Sequence, residues 1–186
     1  MSIKSHRSQH LVPAFICGVL SAVGPGIGTA HADASESAEI AAVHNASVAP
    51  VDAVALAEKH SGGRAFGMGL EASHRKSWYE IQLDVHGNPM LARIDPRSGA
   101  WLGMAPAHGD DASGMHSLDG HKVSLAQAIT AAERVAAGRA LEAGPFGHGK
   151  SAHYDVDVVR SNLSVAHLSV NPDTGVVSKA PDSEID

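Results

Sequence analysis

Apolar residues follow two spacings along this chain, and the two alternate twice. Leu125, Ala128, Ile129, Ala132, Val135 and Ala136 recur at steps of three and four, which draws one apolar stripe along a helix. Ser124 and Gln127 make a capping box at its start, and Gly138 is expected to supply the left-handed residue at its end. A weaker stripe of Ala53, Val54, Ala57 and His60 can open on Pro50 and close on Gly62-Gly63. After each helix the period changes to two. Tyr79, Ile81, Leu83 and Val85 alternate with Trp78, Glu80, Gln82 and Asp84, and Tyr154, Val156 and Val158 alternate with His153, Asp155 and Asp157. That pattern predicts strands with one buried and one wet face. Phe66, Met68 and Leu70 form a shorter run ahead of the first, with Leu141 as its counterpart before Pro145 stops the pattern. Gly87-Asn88 reads as a hairpin turn, with Met90, Ala92 and Ile94 pointing inward beyond it.

The two halves match in detail. Gly63-Arg64-Ala65 recurs as Gly138-Arg139-Ala140 and Tyr79 as Tyr154, both 75 residues on. Asp95-Pro96-Arg97-Ser98-Gly99 recurs as Asn171-Pro172-Asp173-Thr174-Gly175, 76 residues on. A helix end, a strand aromatic and a turn at matching offsets predict duplication of one folding unit. In each turn Asp95 or Asn171 can bond its own backbone, Pro96 or Pro172 presets a dihedral, Ser98 or Thr174 adds a hydroxyl, and Gly99 or Gly175 takes the positive φ. The predicted fold class is α+β: two tandem units, each a helix followed by an antiparallel sheet of three or more strands. A unit of this size is marginal alone, so the two are expected to pack together, with Trp78, Trp101 and His153 as candidates for that contact.

The stretches "YEIQLDV…GNPMLARIDPRSGAWLG" and "YDVDVV…LSVAHLSVNPDTGVVS" resemble PepSY domains, in which a strand tyrosine precedes a strand ending in D-x-x-T/S-G. Ser98 stands where threonine is common in that pattern and Asn171 where aspartate is usual. The resemblance implies a PepSY/cystatin-like fold over repeats at 48–102 and 121–180. It also implies a binding module, since PepSY domains occur in propeptides that restrain thermolysin-type metalloproteases and as free-standing exported proteins.

The ends change the setting. Lys4 and Arg7, an apolar run from Leu11 to Val23, and Ala30-His31-Ala32 have the three parts of a secretory signal, so residues 1–32 are read as a leader cleaved before Asp33. An uncleaved anchor is the alternative. A periplasmic or secreted protein without a membrane span follows. Residues 33–47, rich in Ala, Ser and Glu, are expected to be a flexible segment, 103–120 a linker rich in His, Gly and Asp, and 181–186 a tail. Beyond the leader the chain has 12 basic and 20 acidic residues, a formal charge of −8, and no cysteine, because the lone Cys17 lies in the leader. That balance argues against nucleic acid and anionic membranes, and it removes disulfides, thiolate nucleophiles and cysteine metal sites.

Two patterns invite a chemical reading. Gly144-Pro145-Phe146-Gly147-His148-Gly149-Lys150-Ser151 satisfies the phosphate-loop formula, but a strand rather than a helix is predicted to leave it, and phosphate binding needs the helix N-terminus. His108, Asp110, Asp111, Met115, His116 and His121 concentrate imidazole, thioether and carboxylate ligands suited to copper or zinc, at irregular spacing. The competing reading of that segment is a solvated linker. H-E-x-x-H, G-x-S-x-G and a catalytic cysteine are all absent from the sequence, so no enzyme is expected and no cofactor is called for. The expectation is a non-catalytic envelope protein that modulates or inhibits a protein partner, with a peptidase as the candidate class. A copper- or zinc-binding accessory or sensor protein is the alternative.

Overall fold

A computed structural model describes residues 30–73, 76–147 and 149–180. All but the last three residues of the expected leader, His148 and the expected tail lie outside the described residues. The fold is α+β, with three α-helices and eight antiparallel strands in one sheet among the described residues.

The helices are α1 (Ala30–His44), α2 (Pro50–Ser61) and α3 (Leu125–Ala136). The strands are β1 (Arg64–Ser73), β2 (Lys76–Val85), β3 (Asn88–Ile94), β4 (Trp101–Pro106), β5 (Gly138–Phe146), β6 (His153–Arg160), β7 (Val165–Val170) and β8 (Val177–Lys179). Their order is β4-β3-β2-β1-β5-β6-β7-β8, so two four-stranded meanders join edge to edge through β1 and β5. Met68 lies opposite Ala143 and Gly69 opposite Glu142 at that seam. Joining there leaves only β4 and β8 with an open side, whereas two separate sheets would leave four such strands.

α2 lies against β1, β2 and β3, α3 against β5, β6 and β7, and the two helices touch each other. Between helices and sheet, Ala53, Val54, Ala57, Ile129 and Ala132 meet Tyr79, Ile81, Leu83, Val156 and Val158, all completely buried. α3 opens on the expected capping box, with Ser124 accepting from the Gln127 amide and the Gln127 side chain accepting from the Ser124 amide. Pro50 opens α2 and the left-handed Gly62 closes it.

Several expectations need correction. Residues 33–47 are mostly helical rather than flexible: α1 packs on β1, β5 and β6, and Val43 is completely buried. The expected linker begins as strand β4 to Pro106 and continues into a 3-10 turn at Gly109–Ala112. β5 runs on through Pro145 to Phe146, so the proline does not end the pattern. The hairpin residues are His86 and Gly87, with φ of 55° and 82°, one position earlier than expected, and Asn88 pairs with Val85. Val135 is exposed on α3 and His60 on α2, the latter stacked on Trp101 at 5.1 Å. The left-handed residue after α3 is Ala137 at φ 54°, not Gly138. Trp101 and Trp78 make their ring contacts within the first half, and Phe146 and His153 pair within the second. The halves meet instead through β1, β5, α2 and α3.

Candidate functional site

The two matched turns do more than reverse the chain. Asp95 Oδ1 accepts from the Arg97 and Ser98 amides and the Ser98 hydroxyl at 2.8–2.9 Å, and Asn171 Oδ1 accepts from the equivalent groups of Asp173 and Thr174 at 3.0 Å. Those bonds favour the ionised form and hold the Asp95 carboxyl below its ordinary range. Gly99 and Gly175 take φ of 72° and 69°. The turn carbonyls then face the helix entries: Pro96 O accepts from the Ser47 and Val48 amides, and Pro172 O from the Lys122 and Val123 amides. Sequence reasoning assigned these prolines only a dihedral.

Tyr79 and Tyr154 serve the same entries. Each hydroxyl donates at 2.9 Å to a carbonyl 31 residues upstream, Val48 O or Val123 O, just before α2 or α3. Burial raises both phenols, Tyr79 to about 12. Their bodies sit in the core, so replacing either hydroxyl leaves packing intact and removes one bond. Tyr79→Phe and Tyr154→Phe should each cost about 1 kcal/mol in urea unfolding. A change below a few tenths would mean the hydroxyl is not needed to hold the entry.

The arginines of the two Gly-Arg-Ala motifs reach across the seam. Arg139, on β5, donates to Ala46 O and to Val48 O, the latter at 2.7 Å, where the chain passes from α1 to α2. Arg64, on β1, meets Asp119 at 2.8 Å ahead of α3. Inside each half the motif is also fastened by a helix carboxylate: Glu58 accepts from the Ala65 amide and Glu133 from the Ala140 amide, at 2.9 and 2.8 Å.

The proposed metal ligands do not converge. Asp111 is buried against the outer face of the sheet with Gln82 as a hydrogen-bond partner, and burial raises its carboxyl. His116 pairs with Asp119 at 2.8 Å, and His121 with Asp173 at 3.0 Å. His108 precedes the 3-10 turn that holds Asp110, and Met115 lies in the turns that follow. Among the described residues no group of three or more His, Cys, Asp or Glu side chains is placed to hold a metal ion.

The stretch matching the phosphate-loop formula connects β5 to β6 through a three-residue 3-10 turn, Gly149–Ser151. Lys150 and Ser151 line an open depression of about 500 Å³ with His153, Ser169, Asn171 and Thr174. A strand enters and a strand leaves, so no helix dipole faces that depression.

The sheet ends offer a different kind of site. β4 pairs with β3 alone and leaves its other side open over Trp101–Pro106, six uncharged residues with Leu102 and Met104 exposed by 54% and 40%. β8, at the opposite end, has three residues. An open strand of β4's length can accept an extended chain through backbone bonds.

Comparison with known proteins finds remote likenesses. No family model matches the chain, and no curated protein matches it significantly. Two solved structures do match. One is a candidate lipoprotein from Clostridium difficile 630, at 17% identity and a TM-score of 0.41, covering 74% of this chain and 95% of that one. The other is the YpmB protein from Bacillus subtilis, at 14% identity and a TM-score of 0.29, covering 69% and 93%.

Sequence reasoning did not single out the carboxyl groups on the outer face of the central strands. Glu80 is buried on β2, accepting from Arg93 Nε at 2.8 Å and from the Trp78 indole at 3.3 Å, with the Arg93 guanidinium over the Trp78 ring. Glu71 on β1 and Glu142 on β5 point to the same side, because they alternate with Leu70 and Ala143 of the core. Burial, reinforced by neighbouring acids, raises Glu71 to about 7 and Glu142 to about 8. Among the described residues no helix is long and apolar enough to cross a membrane.

Proposed function

We propose that this chain is an exported, non-catalytic PepSY-type binding module, built from two copies of one unit, that modulates a protein partner by pairing with an extended segment of it along β4. The observation that carries the reading is the open side of β4 with Leu102 and Met104 exposed upon it. Backbone pairing supplies affinity there and the two apolar side chains supply selectivity, a mode that needs no reactive group. Duplication is supported by the matched Tyr79 and Tyr154 bonds, the matched Glu58 and Glu133 bonds and the matched turns, each pair 75 or 76 residues apart. The PepSY resemblance makes a peptidase the first partner class to test, and the leader places the encounter outside the cytoplasm.

A photoreactive residue at position 102, in the protein expressed with its own leader, should crosslink a discrete envelope partner, while the same residue at Val135, exposed by 59% on α3, should not. Met104→Lys should cut the yield from position 102 by about tenfold, the effect of losing about 1.4 kcal/mol of binding. Equal capture from both positions, or a yield that Met104→Lys leaves unchanged, would remove β4 as the docking strand.

A further inference from the structure

α1 covers the central strands on the side away from α2 and α3. It packs on β1, β5 and β6, and its Glu39, only 8% exposed, acts electrostatically on Glu71 and Glu142, which project from the outer face. Three carboxyl groups from three elements therefore meet beneath one short helix. Charge compensation there is one-sided. The groups acting on Glu142 are Asp157, Glu71, Glu39 and Asp155, all acids, and those acting on Glu71 are Glu39, Glu80, Asp111 and the single cation Arg93. Arg93 is already bonded to Glu80. Arg139, at the foot of α1, spends its guanidinium on the Ala46 and Val48 carbonyls. His167, on β7, is bonded to Asp157 at 2.7 Å, and His44 and Glu36 on α1 face solvent. Adjacent buried carboxyls that lack a matching cation cannot all ionise without a large cost.

We propose that α1 is a pH-released strap, closed on the outer face of β1, β5 and β6 while Glu39, Glu71 and Glu142 retain protons beneath it, and freed when they ionise. The sign follows from the proton count. Carboxyls whose closed-state affinity for protons exceeds the ordinary value bind more protons when the strap is closed than when it is open. Closure is therefore strongest near and below the ordinary carboxylate range. It weakens as pH rises from about 4.5 through the values of about 7 and about 8 at Glu71 and Glu142. Release uncovers the outer face of the seam, where Gly67 and Gly69 leave the β1 backbone bare. The strap does not depend on the partner reading, because β4 lies three strands away from β1.

Hydrogen exchange of the chain from Asp33 onward, corrected for the intrinsic pH dependence of exchange, tests this between pH 5.5 and 8.5. Protection of residues 36–44 should fall on the order of tenfold per pH unit above pH 6.5 while β2 and β6 keep theirs, since one proton per closure shifts the equilibrium by that factor. Glu142→Gln and Glu39→Gln, each neutral and close in shape, should flatten the α1 slope and keep the strap closed at pH 8.5. α1 protection that does not change with pH, that falls in step with β2 and β6, or that falls as steeply in both variants, would overturn the proposal.

Discussion

Gly138→Ala is expected to lose about 3 kcal/mol of stability, and Ala137→Gly, one residue earlier, to gain about 0.5–1 kcal/mol. A Cβ on Gly138 would stand 2.3 Å from Val159 O and 2.8 Å from Val158 Cγ1. The first of these is backbone of the neighbouring strand, fixed by the β5–β6 ladder, so no rotamer change relieves it. Ala137 holds the left-handed conformation at φ 54°, which costs an alanine energy that a glycine does not spend. Thermal unfolding should separate the pair, with Gly138→Ala lowering Tm by about 6–12 °C for a chain of this size. The equivalent change, Gly63→Ala, brings Cβ to 2.7 Å from Asp84 O and should act in the same direction. A neutral Gly138→Ala would show that the strands can separate at this point and that the glycine serves only to leave the helix.

That pair marks where sequence reasoning reaches and where it stops. The recurrence of Gly-Arg-Ala was visible, and so were both helices, because an apolar stripe and a capping box report on local geometry. The reason for the glycine was not, since closeness of β5 to β6 is a distance between segments more than ten residues apart. The strands bearing Tyr79 and Tyr154 were legible from their period of two, and the turns at Asp95 and Asn171 from their chemistry. β4 was not, because Gly103 and Pro106 interrupt its pattern and its pairing with β3 supplies what periodicity lacks.

The outer face was misread for a related reason. Alternation identifies a face that is not the core and says nothing about what else lies upon it. Glu71 and Glu142 occupy positions that period-two reasoning assigns to water, and α1 covers them without an apolar stripe of its own that would have announced the contact. The linker histidines drew attention through composition alone. Their bonds to Asp119 and Asp173 are to different parts of the chain, a separation that spacing along the sequence does not encode.

Arg139→Ala should cost about 2–3 kcal/mol, against less than about 1 kcal/mol for its counterpart Arg64→Ala. Both residues reach across the seam, but their settings differ. Arg139 is partly buried and forks onto two backbone carbonyls, Ala46 O and Val48 O, at the point where the chain leaves the outer face to begin α2. Without it Val48 O keeps the Tyr79 hydroxyl, while Ala46 O loses a charged donor beside a residue only 7% exposed. Arg64 and Asp119 are each more than half exposed on their side chains, so water replaces much of what the pair supplies. Arg139→Lys should recover about half of the loss, because an ammonium group cannot reproduce the two-pronged geometry. Urea midpoints at constant m-value measure the ranking. Exchange at residues 36–48 should rise more in Arg139→Ala than in Arg64→Ala, since the lost bonds fasten α1 to the sheet as well as one half to the other. Equal costs for the two alanine variants would mean that the seam is held by β1–β5 pairing and α2–α3 packing alone, with the arginines as bystanders.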